Sequence, residues 1–186
     1  MGAKSFLTLA VLLMAFGIGC NANRANTRDV KDQVAKALDN AGFKDVKVTS
    51  DTDKQLVTLK GDVKSEEDKQ RAEETAKGAA GGWVVANEIG IRPEGVEGAA
   101  RKIDSNVDAA IEKDFKAVLI ANRLDDEKIR YDVKNGVLKL HGEVSSPADR
   151  EKVEKLAASV PNVQQVVNEL DINTKNKRKH ASAGSM

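Results

Sequence analysis

The strongest constraint on this 186-residue chain is that much of it is written twice. Displaced by 81 residues, Leu56-Val57-Thr58-Leu59-Lys60-Gly61-Asp62-Val63 falls on Val137-Leu138-Lys139-Leu140-His141-Gly142-Glu143-Val144. The same displacement lays Val85-Ala86-Asn87-Glu88-Ile89-Gly90-Ile91 on Val166-Val167-Asn168-Glu169-Leu170-Asp171-Ile172. From position 56 to 91, eleven of thirty-six residues repeat without a gap, among them Gly61, Ser65, Asp68, Asn87 and Glu88. Upstream, Val30, Val34 and Leu38 meet Ile111, Phe115 and Leu119. Self-similarity at fixed spacing marks a structural unit used repeatedly. Two units, each complete in itself, predict two copies of one small domain at residues 27–92 and 103–173, not a solenoid.

The periodicities give each copy the order helix, strand, strand, helix, strand. Val30, Val34, Leu38 and Ala41 recur at helical spacing, and Gly42 follows as a C-cap. Val46 and Val48 alternate with polar residues as a short strand, and Val57, Leu59, Gly61 and Val63 share one face of the next. Ser65 caps a helix whose first turn carries Glu66, Glu67 and Asp68, placed to suit the positive end of its dipole. Ala72, Ala76 and Ala79 give that helix a thin apolar stripe, Gly81-Gly82 ends it, and a last strand runs to Ile91.

In the second copy, Ile103, Val107, Ile111, Phe115, Val118 and Asn122 line one face of a longer helix. Asn135-Gly136 signals a hairpin turn, and Ser146-Pro147 a cap followed by proline in the first helical position. Val153, Leu156, Ala157 and Val160 form its buried stripe. The expected fold class is α+β: two tandem small α/β sandwiches, each a three-stranded mixed sheet with two helices on one face. Residues 93–102 are the expected linker. Units of about 65 residues are modestly stable, and the alanines of the first copy predict the weaker core there.

The first twenty residues are of another kind. Lys4 precedes an uncharged run from Phe6 to Ile18, about thirteen residues, too short to span a bilayer but suited to the apolar core of a signal peptide. Gly17-Ile18-Gly19-Cys20 resembles a lipoprotein signal, in which residues 1–19 are removed and Cys20 is acylated. Gly17 stands where that family usually has leucine, and ordinary secretory cleavage after Ala22 is the rival reading. Residues 20–26 then form a flexible link. Acylation contributes about 0.8 kcal/mol per buried CH₂, so two or three chains anchor firmly.

Composition narrows the function. Lys plus Arg number 30 against 29 Asp plus Glu, which argues against a strongly basic nucleic-acid binder. One cysteine and two histidines allow no intrachain disulfide and no Cys-based zinc site. No nucleophile–base pair or phosphate loop stands out. A non-catalytic protein without cofactor or metal is expected.

The patterns Val-x-Leu-x-Gly-x-Val (57–63) and Leu-x-Leu-x-Gly-x-Val (138–144) are each followed by a capped helix and then Val-x-Asn-x-Ile or Val-x-Asn-x-Leu (85–89, 166–170). These resemble the BON domain, named for bacterial OsmY and nodulation proteins. In the first copy Gly81-Gly82-Trp83 replaces the family's usual Gly-Val. The resemblance covers about three-quarters of the chain. It implies a periplasmic or outer-membrane protein associated with phospholipid and with envelope integrity under osmotic or other stress. A lipoprotein signal before two BON domains is similar to the layout of DolP-type lipoproteins, which bind anionic phospholipid. OsmY-type proteins, which lack the anchor, imply instead a periplasmic chaperone-like role toward unfolded or partner proteins.

Several residues invite a functional reading. Arg150, Lys152 and Lys155 on the second helix of copy two are nominated for anionic lipid, though Glu151 and Glu154 sit among them. Trp83 reads as an edge-of-core ring, with a membrane-interface anchor as the sharper option. The tail carries Lys175, Lys177, Arg178 and Lys179, while residues 20–174 hold a net charge of −4. Each basic residue near an anionic surface is worth about 1 kcal/mol. Residues 174–186 read as a disordered basic tail. Gly61 and Gly142 read as sites of close backbone packing, Asn87 and Asn168 as amides bonded to a nearby turn, and His141 as solvent-facing. The expected partners are anionic membrane phospholipid and, beyond it, envelope proteins.

Overall fold

The computed structural model describes residues 27–124 and 128–173. Within them the order is α1 (Thr27–Asn40), β1 (Lys47–Asp51), β2 (Leu56–Val63), α2 (Glu66–Ala79) and β3 (Val84–Ile91), followed by α3 (Glu97–Ala121), β4 (Lys128–Lys134), β5 (Val137–Val144), α4 (Pro147–Ala158) and β6 (Gln165–Ile172). Two three-stranded sheets result, ordered β1-β2-β3 and β4-β5-β6. In each, the first pair is antiparallel and the second parallel, with α2 or α4 as the crossover. The 81-residue displacement carries one register onto the other: Leu56 faces Val84, and Val137 faces Gln165. The fold is α+β, two sandwiches of one design.

Local chemistry sets the element ends. Gly42, at φ +94°, lets the Phe43 amide reach back to Leu38 O at 2.9 Å, a Schellman-type stop. Ser65 accepts from the Asp68 amide at 3.2 Å, and Ser146 from the Asp149 amide at 3.1 Å. Asn135 and Gly136 both have positive φ, as a type I′ hairpin turn requires. A Cβ on Gly142 would lie 2.0 Å from Lys128 O, and one on Gly61 2.7 Å from Asp45 O. Both glycines therefore let the neighbouring edge strand approach.

Each core lies between sheet and helices. In copy one, Val34, Leu38, Val57, Leu59, Ala72, Ala76 and Ile89 are fully buried. In copy two, Ile111, Phe115, Leu138, Leu140, Val144, Val153 and Ala157 take that role. Phe115 meets Tyr131 edge to face, ring centroids 5.0 Å apart.

The structure departs from sequence expectation at four places. Helix α3 begins at Glu97, inside the expected 93–102 linker, so only residues 93–96 join the copies. Glu97 in the first turn suits the helix dipole, and ion pairs from Asp104 to Arg92 and from Arg101 to Asp62 tie the added turns to copy one. Ile103 keeps its place on the apolar stripe but is 61% exposed, because the stripe outruns the sheet it packs on. Ala41 lies beyond the end of α1 and is exposed; Phe43 fills the core instead. Asn87 and Asn168 bond a helix, not a turn, as detailed below.

Residues 1–26 and 174–186 lie outside the described residues. With them lie the expected signal peptide, Cys20, and the tail residues Lys175, Lys177, Arg178 and Lys179.

Candidate interaction surface

Two apolar faces, not one, are written into these strands. Val57, Leu59, Val85 and Ile89 point to the helices; Leu56 and Ala86 point to the reverse of the sheet. In copy two the reverse face carries Val137 and Val167. These four reverse-face residues are buried together as one cluster, so the two sheets meet back to back. Val137 is the repeat-equivalent of Leu56, and Val167 of Ala86. The polar contacts obey the same exchange. Asn135 donates to Glu88 O at 2.7 Å, and its repeat-equivalent Lys54 donates to Glu169 O at 3.3 Å. The contact between copies is therefore close to isologous, as between subunits of a symmetric dimer.

The symmetry is broken by charge. Glu88 is buried at 8% exposure, with Lys139 at 2.8 Å and Lys60 at 3.6 Å. A carboxylate removed from water needs such compensation. At the equivalent place Glu169 faces His141 in register, and Thr58 stands where Lys139 would be. His141 is on the reverse face, as its parity predicts, half-buried with Nδ1 3.6 Å from Asp132.

The edge of β3 is closed by a side chain. Val84 N bonds Gln55 O and Arg92 N bonds Val63 O, so even-numbered residues of β3 turn their amides to β2. Val85 and Asn87 consequently turn theirs outward. The Gln165 carboxamide meets both, donating to Val85 O at 2.7 Å and accepting from Asn87 N at 3.1 Å. It makes the two bonds a neighbouring strand's peptide groups would make.

Asn87 and Asn168 repeat a strand-to-helix tie. Asn87 Nδ2 donates to Lys69 O and Glu73, and its Oδ1 accepts from Ile89 N. Asn168 Nδ2 donates to Arg150 O and Glu154, and its Oδ1 accepts from Leu170 N. Burial pushes the Glu73 carboxyl up, but hydrogen bonds from Asn87 and Lys77 outweigh it and hold the group below the usual carboxylate range.

A cleft of about 340 Å³ opens between the copies, lined by Lys69, Asp104, Asp108, Asn135, Val107 and Gln164. Its charged groups are engaged in structure. Lys69 donates to Gln164 at 3.1 Å, and burial lowers its amine below the usual lysine value. Asp104 pairs with Arg92. Asp108 accepts both turn amides, Asn135 N and Gly136 N, each at 3.0 Å. Among the described residues, no cluster of His, Cys, Asp or Glu is arranged to hold a metal, and no helix is long and apolar enough to cross a membrane.

The nominated lipid residues fall on different parts of the molecule. Trp83 packs half-buried against the core of copy one. Arg150, Lys152 and Lys155 are exposed on α4 of copy two. Arg150 turns to the sheet and donates to Asn168 O at 3.0 Å. Lys155 lies 3.7 Å from Glu151. Lys152 and Lys155, three apart, share a face; Arg150 does not. The contact between the copies was missed in sequence. Its signal was there in Leu56, Ala86, Val137 and Val167, apolar on the parity expected to be polar, since strands buried on both faces lose alternation.

Comparison with known proteins agrees with this architecture. The chain is 29% identical over 137 residues to Osmotically-inducible protein Y of Escherichia coli K12, covering 73% of this chain and 67% of that protein. Two solved structures of CdsD, a structural protein of the type III secretion system of Chlamydia trachomatis, align at 13% and 12% identity. They cover 74% and 85% of this chain and 62% and 100% of theirs. Their TM-scores of 0.32 are too low to carry an argument. The BON domain family model matches residues 24–93 and 107–174, one match to each sandwich, and the chain belongs to the BON-domain family with two copies in tandem.

Proposed function

We propose that this is a non-catalytic cell-envelope protein supporting envelope integrity under osmotic or other stress. The similarity to an osmotically inducible protein over most of the chain carries this reading. The geometry is compatible with it: the charged groups of the cleft between the copies are committed to ion pairs and turns, leaving surfaces instead of a reaction centre. In this reading Cys20 is acylated and holds the protein at the periplasmic side of the outer membrane. The exposed Lys152–Lys155 face and the four basic tail residues add weak contact to anionic phospholipid. The test is flotation, with anionic and with neutral vesicles, of protein lacking residues 1–20. Binding to anionic vesicles only, lost at high salt, supports it; equal recovery with both lipids, or none, overturns lipid recognition. Fatty-acid labelling that survives Cys20→Ala would overturn the anchor.

A second reading, binding of unfolded or partner polypeptides, is favoured by one observation. The outer strand of copy two is far less covered than that of copy one. Suppression of client aggregation by the same truncated protein tests it.

A further inference from the structure

The edge of β3 is closed by Gln165, and the repeat predicts where the matching closure of β6 should lie. Gln165 N bonds Gly136 O and Asn173 N bonds Val144 O, so odd-numbered residues of β6 face β5. Val166 and Asn168 turn their backbone groups outward, as Val85 and Asn87 do. The residue equivalent to Gln165 is Val84. A valine offers no carboxamide, and no group among the described residues bonds Val166 O or the Asn168 amide. Val84 is 51% exposed, and by the repeat it is the position from which such an amide would reach β6. Every residue of β3 from Val85 to Gly90 is buried, whereas only Val167 and Leu170 are buried in β6.

We propose that the outer edge of β6 at Val166–Asn168 binds an extended segment of another polypeptide by strand addition, with Val84 as its apolar floor. The occupant is identified by the stand-in on the other copy. The Gln165 amide satisfies Val85 O and Asn87 N with one N–H and one C=O, the groups a strand offers, so the vacant counterpart fits peptide backbone. Backbone bonds give such recognition its affinity and adjoining side chains its preference. Val84 selects an apolar residue in the segment. Arg150, already on Asn168 O, ends the open stretch on one side, so the contact is short and sequence-tolerant. This rests on the polypeptide-binding reading and names the site that would serve it.

The test uses the full chain and a fluorescein-labelled decapeptide of alternating valine and threonine flanked by lysines. A control peptide carries an N-methyl group on every valine and threonine, which removes the backbone donors along both edges. The expected result is saturable anisotropy with the first peptide, at least tenfold weaker binding of the control, and slowed hydrogen exchange at the Asn168 amide on binding. Val84→Gln restores the missing carboxamide: it should slow exchange at Asn168 without peptide and weaken binding at least tenfold, while the thermal midpoint does not fall. No saturable binding, binding that leaves Asn168 exchange unchanged, or undiminished binding by Val84→Gln would each overturn the proposal. Client protection retained in Val84→Gln leaves polypeptide binding standing and removes this edge as its site.

Discussion

Strands β3 and β6 have the same place in the same fold, yet six of eight residues are buried in β3 and two of eight in β6. β3 is covered by helices on one face, by the second copy on the other, and by Gln165 along its edge. β6 has its helices but only part of the rest. The two copies contribute equivalent apolar residues to their contact, Leu56 with Ala86 and Val137 with Val167. The difference comes from a few polar substitutions: Gln165 against Val84, Lys139 against Thr58, Lys60 against His141. Duplication makes a near-symmetric contact, and single residues then decide which copy is sealed and which stays open.

The comparison can be broken first in the cores. Phe115 and Val34 are repeat-equivalent and fully buried. Phe115→Ala should cost about 3–5 kcal/mol and Val34→Ala about 2 kcal/mol, because the larger side chain leaves the larger cavity. Chemical denaturation gives both, and equal losses would contradict the packing described.

Glu88 and Glu169 offer the next contrast. Glu88→Gln leaves the half-buried Lys139 without its carboxylate and should cost about 3 kcal/mol, the low end for breaking a buried pair. Glu169→Gln should cost less than about 0.5 kcal/mol, as surface changes do. The same denaturation experiment reads both, and similar costs would mean the charge asymmetry carries no energy.

Glycine positions sharpen it further. Gly142→Ala and Gly61→Ala both force a side chain onto positive φ and against a carbonyl. Each should destabilise by about 1–3 kcal/mol, with Gly142 the more sensitive because its contact is closer. Thermal melts rank the pair, and a neutral Gly142→Ala would refute the close strand approach.

The last contrast concerns Asn87 and acid. Glu73 is held below the usual carboxylate range, so its stabilising contribution is complete above that range and fades as pH falls through the folded-state value. Asn87→Ala removes a hydrogen bond that lowers it. The variant should be about 1–3 kcal/mol less stable near neutrality, and the gap should narrow as pH falls through and below the usual carboxylate range. Asn168→Ala, at a more exposed site, should cost less; denaturation curves across that pH range decide.

Much of this was legible in the chain. The 81-residue displacement, the caps Ser65 and Ser146 and the turn Asn135-Gly136 are local or periodic signals, and they fixed each copy's elements. The end of the linker was not legible, because the turns from Glu97 to Lys102 are tied through Arg101 to Asp62, which lies 39 residues back in sequence. Trp83 and the α4 basic residues could be named as candidates on separate copies, but the sequence did not show that Arg150 turns to the Asn168 carbonyl and leaves the Lys152–Lys155 face.

The sequence by itself determined that there are two copies, what elements each contains, and which face of each strand meets its helices, because side-chain period and turn chemistry act over a few residues. Only the tertiary structure decided that the sheets meet through their other faces, that Glu88 is buried while Glu169 is not, and that one edge is closed and its twin left open. Those outcomes depend on residues about eighty positions apart, such as Gln165 and Val85, meeting in space. No local propensity encodes such a meeting.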